Sequence, residues 1–377
     1  MGDIVIAGAG IGGLTAAIAL KRAGHRVRVL ERATSIKPVG AGLTVQINAV
    51  RALESLGLAD AVKRAGRELT VMDVRTADGE LLQRADVREM TARFGGSQVA
   101  IHRAALHEVL LREAGDVVTL GAGVTGFREV GAVVEATCSD GSTVSGDVLV
   151  GADGIHSAVR AALHGESAPR YSGYTSWRGV CPDASRVSDG CEAWGRGRRF
   201  GYVPIAEGVY WFAVDDRPEG ERDAGDVKAT LRGMFAGWYG PIPSLIDATP
   251  AEAILRTDIH DRDPIANWGR GRVTLLGDAA HPMTPNLGQG ACQAIEDGVV
   301  LARAVQKHGV TAEALRRYER AREAHTARVV LEARRFGVVG QASNPLLTSL
   351  RDFVVRVTPS SLAVKSLAWL YAPSLEV

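Results

Sequence analysis

The residues able to do chemistry fall in four short stretches and one isolated arginine. Gly8, Gly10 and Gly13 have the spacing Gly-x-Gly-x-x-Gly, and Glu31 follows eighteen residues after the last of them. The first glycine permits a tight turn, the second lets a pyrophosphate approach the backbone, and the third lets a helix pack closely on a strand. A carboxylate roughly 20 residues further on is placed for a ribose hydroxyl. The pattern describes a dinucleotide site. Asp153-Gly154 follows an apolar strand and opens into a small-residue turn, so it falls at a strand's carboxyl end, where open α/β sheets bind ligands. Gly277-Asp278 also ends a strand, and its carboxylate suits a second sugar or polyol hydroxyl. Pro285 to Gly290, with Asn286, Gly288 and Gln289 between, leads into a helix and offers N–H donors at its N-terminus. Arg103 opens another helix, where a guanidinium could meet a phosphate from outside the glycine turn.

The elements that position these residues read from periodicity. Residues 3–7 are a short buried strand, 14–22 an apolar helix stopped at Gly24, and 26–30 a second strand, which together make a βαβ unit of about 30 residues. Residues 38–43 are a glycine-rich turn, 48–57 an amphipathic helix, and 69–83 a hairpin turning at Asp78-Gly79. A helix is predicted over 102–111, and a β-meander over 117–150. Strand 272–276 precedes a helix over 291–305. A long charged helix over 312–337 reads as a solvated face. The tail from 346 to 370 is amphipathic, and docking against the body is its default; contact with a partner or a membrane surface is the alternative.

Composition excludes several classes. The chain has 377 residues and a net charge of +1, with no basic footprint for nucleic acid. Four cysteines without C-x-x-C spacing suggest reduced thiols, and the chain opens directly on the nucleotide strand, so a cytoplasmic location is expected. No apolar run reaches the ~18 residues of a membrane span, and the nine histidines show no metal-ligand spacing. Residues 171–263 gather tryptophans and tyrosines in alternating patches and read as an antiparallel substrate domain. Arg199 and Tyr202 on one strand, Tyr210 and Trp211 on the next, and the Pro285-Asn286 turn are candidates for the pocket wall. Neighbours on a strand point to opposite faces, and Trp211 is the one expected to face the ligand because Ala213 leaves room beside it. His260 reads as a hydrogen-bonded structural residue or a pocket acid/base.

In their order and spacing, the glycine fingerprint with Glu31, the Gly-Ala-Asp153-Gly154 turn, and Gly277-Asp278 with Pro285-x-x-Gly288-x-Gly290 resemble the single-component FAD-dependent aromatic hydroxylases, such as the para-hydroxybenzoate, salicylate and 3-hydroxybenzoate hydroxylases. The resemblance covers nearly the whole chain. It implies an α/β fold: a Rossmann-like FAD-binding domain of the glutathione-reductase type, an inserted, mainly antiparallel β-sheet substrate domain, and C-terminal helices. The expected boundaries are 1–70, 98–170 and 265–335 for the first, 71–97 and 171–264 for the second, and 336–377 for the last. Non-covalent FAD is implied at Gly8, Gly10, Ile11, Gly12, Gly13, Glu31, Arg32, Arg103 and Val124. Asp153 and Gly154 are implied to help bind both FAD and NAD(P)H, Asp278 to contact the ribitol, and Pro285, Gly288, Gln289 and Gly290 the flavin ring. NADH or NADPH would reduce the flavin, and O2 would be captured as a hydroperoxide that passes one oxygen to an aromatic or heteroaromatic ring, by hydroxylation or epoxidation. The protein would act as a monomer or homodimer. Residues 197–215 resemble the urate-hydroxylating branch but carry Trp211 where that branch has a tyrosine, which favours a larger apolar aromatic or bicyclic heteroaromatic ring. A reductase or dehydrogenase on the same fold is the rival enzyme, and a flavin-binding sensor the non-enzymatic one.

Overall fold

A computed structural model describes residues 1–37, 40–223, 225–371 and 375–377. Pro38 and Val39, a third of the expected turn at 38–43, lie outside the described residues. The chain begins with β1 (Asp3–Ala7), α1 (Ile11–Arg22) and β2 (Arg26–Glu31). Both strands sit inside a five-stranded parallel sheet, ordered Val273–Leu275, Val148–Gly151, β1, β2, Val118–Leu120. Ile4 to Ala7 are buried without alternation, as befits a strand covered on both faces. Gly8 takes φ +100°, and a Cβ on Gly13 would lie 2.0 Å from the Gly8 carbonyl oxygen, so both glycines are required by the turn itself. One face of the sheet is covered by α1, which packs on α2 (Arg103–Ala114) and on α3 (Gly290–His308).

The second layer is a seven-stranded sheet. From one edge it runs β3 (Leu81–Asp86), Val71–Thr76, Gly190–Trp194, β4 (Arg198–Ile205), β5 (Gly208–Asp216), Arg170–Cys181 and Leu255–Asp261. Every pairing is antiparallel except that of Gly190–Trp194 with Val71–Thr76. Helices Val227–Met234 and Pro241–Ala248 contribute to a second hydrophobic core on one of its faces. After α3 come α4 (Ala312–Gly340), α5 (Pro345–Val357) and α6 (Ser360–Ser366).

Three expectations are corrected. The meander over 117–150 is divided: Val118–Leu120 and Val148–Gly151 join the parallel sheet, and only Val124–Val130, Val133–Cys138 and Thr143–Gly146 pair with one another. Short apolar runs look alike in sequence, and pairing partners far along the chain decide which sheet takes them. The charged helix α4 is not solvated throughout, since Glu319 and Arg322 are buried. The tail docks by its apolar side only in part: Leu346, Leu350 and Phe353 are exposed, whereas Val364 and Leu370 are buried in a small core.

Candidate active site

A cleft of about 700 Å³ separates the two layers. Gly10, Ile11 and Gly12 at the start of α1 line it, with Arg103, Gly154 and Asp278. No side chain caps the start of α1, and a Cβ on Gly10 would meet nothing within 4 Å, so that turn faces open space. An uncapped helix start beside Arg103 is a cradle for phosphate. Asp278 points into the cleft and is open to it, but the protein packed around its carboxyl pushes it above the ordinary value, with His281 and Arg103 acting the other way. Gly288 and Gly290 line the cleft farther along, and no side chain caps the start of α3.

Glu31 accepts from the Ala9 and Ala33 amides at 2.8 and 2.9 Å, which fixes the fingerprint turn and leaves further lone pairs on the carboxylate. Arg32 and Val124 stand beside this turn rather than on the cleft: Ala122 N–H donates to the Glu31 carbonyl, and Gly123 packs against Arg32. Asp153 is turned away from the cleft. Its carboxylate accepts from the Ala158 and Val159 amides at 2.8 and 3.3 Å and so caps the helix Ala158–His164. Its neighbours Ala152 and Gly154 reach the cleft wall, and Asp153 does not. Gln289 is buried and donates to Gln46 Oε1 at 2.7 Å, bracing the loop from behind.

At the antiparallel sheet, cross-strand pairs show which side chains share a face. Arg199 pairs with Val214 and Gly201 with Phe212, whereas Tyr202 pairs with Trp211. Tyr210, Phe212 and Val214 line the cleft. Trp211 points the other way: it is buried, stacks on Phe200 at 5.3 Å, and donates from Nε1 to Thr249 Oγ1 at 2.8 Å. Trp211 therefore does not line the cleft as expected, and Tyr210 lines it instead. Tyr202 borders the cleft, but its ring belongs to the second core, its hydroxyl 2.7 Å from that of Tyr239. The tyrosine-to-tryptophan departure thus concerns packing behind the sheet and says nothing of substrate size. His260 is tied to Glu219 at 2.7 Å and is not a cleft residue.

Arg199 is almost wholly buried, and each of its three nitrogens has a partner. Nε donates to Gln341 Oε1 at 2.8 Å, Nη1 to Glu192 Oε1 at 2.9 Å, and Nη2 to Asn286 Oδ1 at 2.6 Å. Asn286 in turn donates toward the Tyr174 hydroxyl at 3.0 Å and the Ala333 carbonyl at 2.9 Å, in space that Gly337 leaves free. Both side chains are occupied in positioning the Pro285–Gly288 turn. Arg178 is different. It pairs with Phe212 on the cleft face, bonds Thr257 through Nη2, and has a buried Nε with no partner.

Sequence reasoning missed the buried network behind the acidic turn. Asp297 Oδ2 accepts from the Gly277 amide at 3.0 Å and lies 2.6 Å from His281 Nε2, while Oδ1 accepts from Arg322 Nε at 2.7 Å. Arg322 Nη1 is also 2.8 Å from Glu296 Oε2, an ion pair without hydrogen-bond alignment. Burial would raise the Asp297 carboxyl, but His281 and Arg322 outweigh it and bring it down to about 2. Two adjacent acids within the apolar run of α3 were the available signal.

Comparison with known proteins agrees with this geometry. The FAD binding domain family matches residues 1–333. The chain is 47% identical over 365 residues to aurachin C monooxygenase/isomerase of Stigmatella aurantiaca, covering 95% of this chain and 94% of the relative. It is 37% identical over 358 residues to the FAD-dependent urate hydroxylase of Mycolicibacterium vanbaalenii, covering 92% and 90%. The crystal structure of Klebsiella pneumoniae HpxO complexed with FAD and uric acid matches with a TM-score of 0.92 at 34% identity, over 98% of this chain and 97% of that one.

Proposed function

The chain belongs to the FAD-binding family of flavin-dependent aromatic monooxygenases, and we propose that it inserts one atom of O2 into an aromatic or heteroaromatic ring held against Tyr210 and Phe212. The residues present fit FAD. The open cradle at Gly10 and the uncapped start of α1 suit its pyrophosphate, Arg103 adds a cation, and Glu31 and Asp278 offer carboxylates to its hydroxyls. When bound, FAD accepts a hydride from NADH or NADPH and activates O2.

The rest is the work of the chain's own side chains. The start of α3 turns its positive end toward the cleft. Arg199 and Asn286 hold the Pro285–Gly288 turn in place, and Tyr210, Phe212, Val214 and Ile259 make a wall that keeps water from the reacting ring. The observation that carries the substrate reading is Arg178, a cation on the cleft wall beside Tyr210 and Phe212 whose Nε has no partner. A ring oxygen or nitrogen accepting from its guanidinium gains a hydrogen bond to a charged donor, worth about 1.5–3 kcal/mol. Arg199, already ion-paired to Glu192, has no charge left for an anionic substrate.

The test incubates the FAD-loaded protein with NADH or NADPH, O2 and a panel of monocyclic, bicyclic and purine rings, and follows product mass. A gain of one oxygen on an aromatic or heteroaromatic ring supports the reading. Preference for urate would favour the hydroxylase reading of the HpxO relatives, and a gain of two hydrogens a reductase.

A further inference from the structure

Ten of the sixteen exposed large hydrophobic side chains described fall between residues 331 and 362. On α5 they form one stripe: Leu346, Leu347, Leu350, Phe353, Val354 and Val357, the spacing of a single helix face. That face points outward, Leu346 being 81% and Phe353 59% exposed. The inward face is the polar one, with Thr348 and Arg351 buried against the body. A surface helix of a globular protein ordinarily turns its apolar stripe to the core; α5 does the reverse.

The orientation is fixed by specific contacts. Arg351 Nη1 donates to the Gly340 carbonyl at 3.0 Å, and its guanidinium lies 5.2 Å over the Trp194 ring. Gln83 Nε2 donates to the Thr358 carbonyl at 3.3 Å, and Arg356 pairs with Glu80 at 2.8 Å. Rolling α5 inward would break each of these. The end of α4 adds exposed Val338 and Val339, and α6 adds Leu362.

Charge points to the kind of surface that covers this face. Residues 327–371 hold six basic residues against two acidic ones, in a chain whose net charge is only +1. Arg351 is buried and Arg334 and Arg356 have carboxylate partners outside that segment, whereas Lys365 is exposed and Arg335, also exposed, shares its charge with Glu332 at 2.7 Å. No helix among the described residues is long and apolar enough to cross a membrane. An apolar helix face flanked by cations is the signature of a helix lying in the interface of an anionic bilayer. The cleft opens beside it: Ser360 of α6 and Arg84 of β3, both exposed, are among its lining residues.

We propose that α5 is a monotopic membrane anchor. Its outward stripe inserts into the headgroup boundary of an anionic lipid surface, Arg335 and Lys365 meet the headgroups, and the cleft mouth between β3 and α6 is held against the lipid.

The test uses the FAD-loaded full chain, sedimented with vesicles of phosphatidylcholine alone or mixed with phosphatidylglycerol. Wild type is expected to pellet with the mixed vesicles. The double variant Leu350→Ser/Phe353→Ser loses at least about tenfold in partitioning, and Lys365→Glu loses about fivefold or more. Melting temperature and NAD(P)H oxidation in solution stay unchanged in all of them. Wild type left in the supernatant with both vesicle types overturns the proposal, as does binding that the double variant does not weaken. A dimer seen by sedimentation velocity without vesicle binding, and split by the double variant, assigns the face to a second copy of the chain and equally overturns it.

Discussion

Arg199 of the antiparallel sheet donates to Asn286 of the nucleotide layer across 2.6 Å, and the two layers are locked together at the cleft by this bond. Because Asn286 also bonds Tyr174 and the Ala333 carbonyl, the Pro285–Gly288 turn is held from several sides. Arg199→Gln removes the cation and one anchor. The variant is expected to keep FAD and oxidise NAD(P)H while product formed per nicotinamide consumed falls. A displacement of about 1 Å at a reacting centre can cost ~10²-fold in rate. Stopped-flow reduction beside product quantitation separates the two steps, and an unchanged ratio would make Arg199 a purely structural residue.

Tyr210 and Trp211 differ in the face they occupy and so in what their loss does. Tyr210→Ala opens the cleft wall, and oxygen is expected to leave increasingly as hydrogen peroxide. Trp211→Ala leaves the cleft wall standing but empties a buried site stacked on Phe200, at a cost of about 3–5 kcal/mol in stability. Thermal melting and coupling, measured on both variants, should respond in opposite proportion.

Arg178→Met tests the polar anchor. Removing a hydrogen bond to a charged donor is expected to raise KM for the ring substrate by about 10-fold or more, corresponding to roughly 1.5–3 kcal/mol. KM for NAD(P)H should not move. Equal shifts in both would mean that Arg178 supports the sheet rather than the substrate.

His325 gives a pH signature. Burial first, and then the neighbouring Arg322, lower its pKa to about 4; Arg328 and His281 add to this and Asp297 opposes it. The unfolded imidazole titrates near ~6.5. The folded state therefore prefers the neutral ring: stability is fully present above about pH 6.5 and is lost as the pH falls toward 4. The melting temperature of wild type should drop between about pH 7 and 5. His325→Phe, which keeps a ring against Trp369, should drop less.

The nucleotide end of this molecule was legible because its signals are local. The glycine fingerprint, α1, β2 and Glu31 lie within thirty-one consecutive residues, and the hairpin of Val71–Thr76 with β3 closes over a short turn. What stayed hidden depends on partners distant in the chain. Tyr210 and Trp211 are both aromatic, so period-2 alternation could not tell which one faced the cleft, and the register with β4 decided it. The periodicity of α5 showed an amphipathic helix but not that Arg351 would find Trp194 and turn the polar side inward. Arg322 looked like one more charge on a solvated helix until Asp297 and Glu296 met it from α3.

Transfer of one oxygen atom from O2 to a ring in the cleft is what every residue role above serves. Turnover under ¹⁸O2 in ordinary water, with mass spectrometry of the product, tests it most directly. One ¹⁸O is expected in each product molecule and, in the coupled enzyme, one NADH or NADPH consumed per oxygen inserted. A product that forms without O2, carries no label, or has gained only two hydrogens would contradict it.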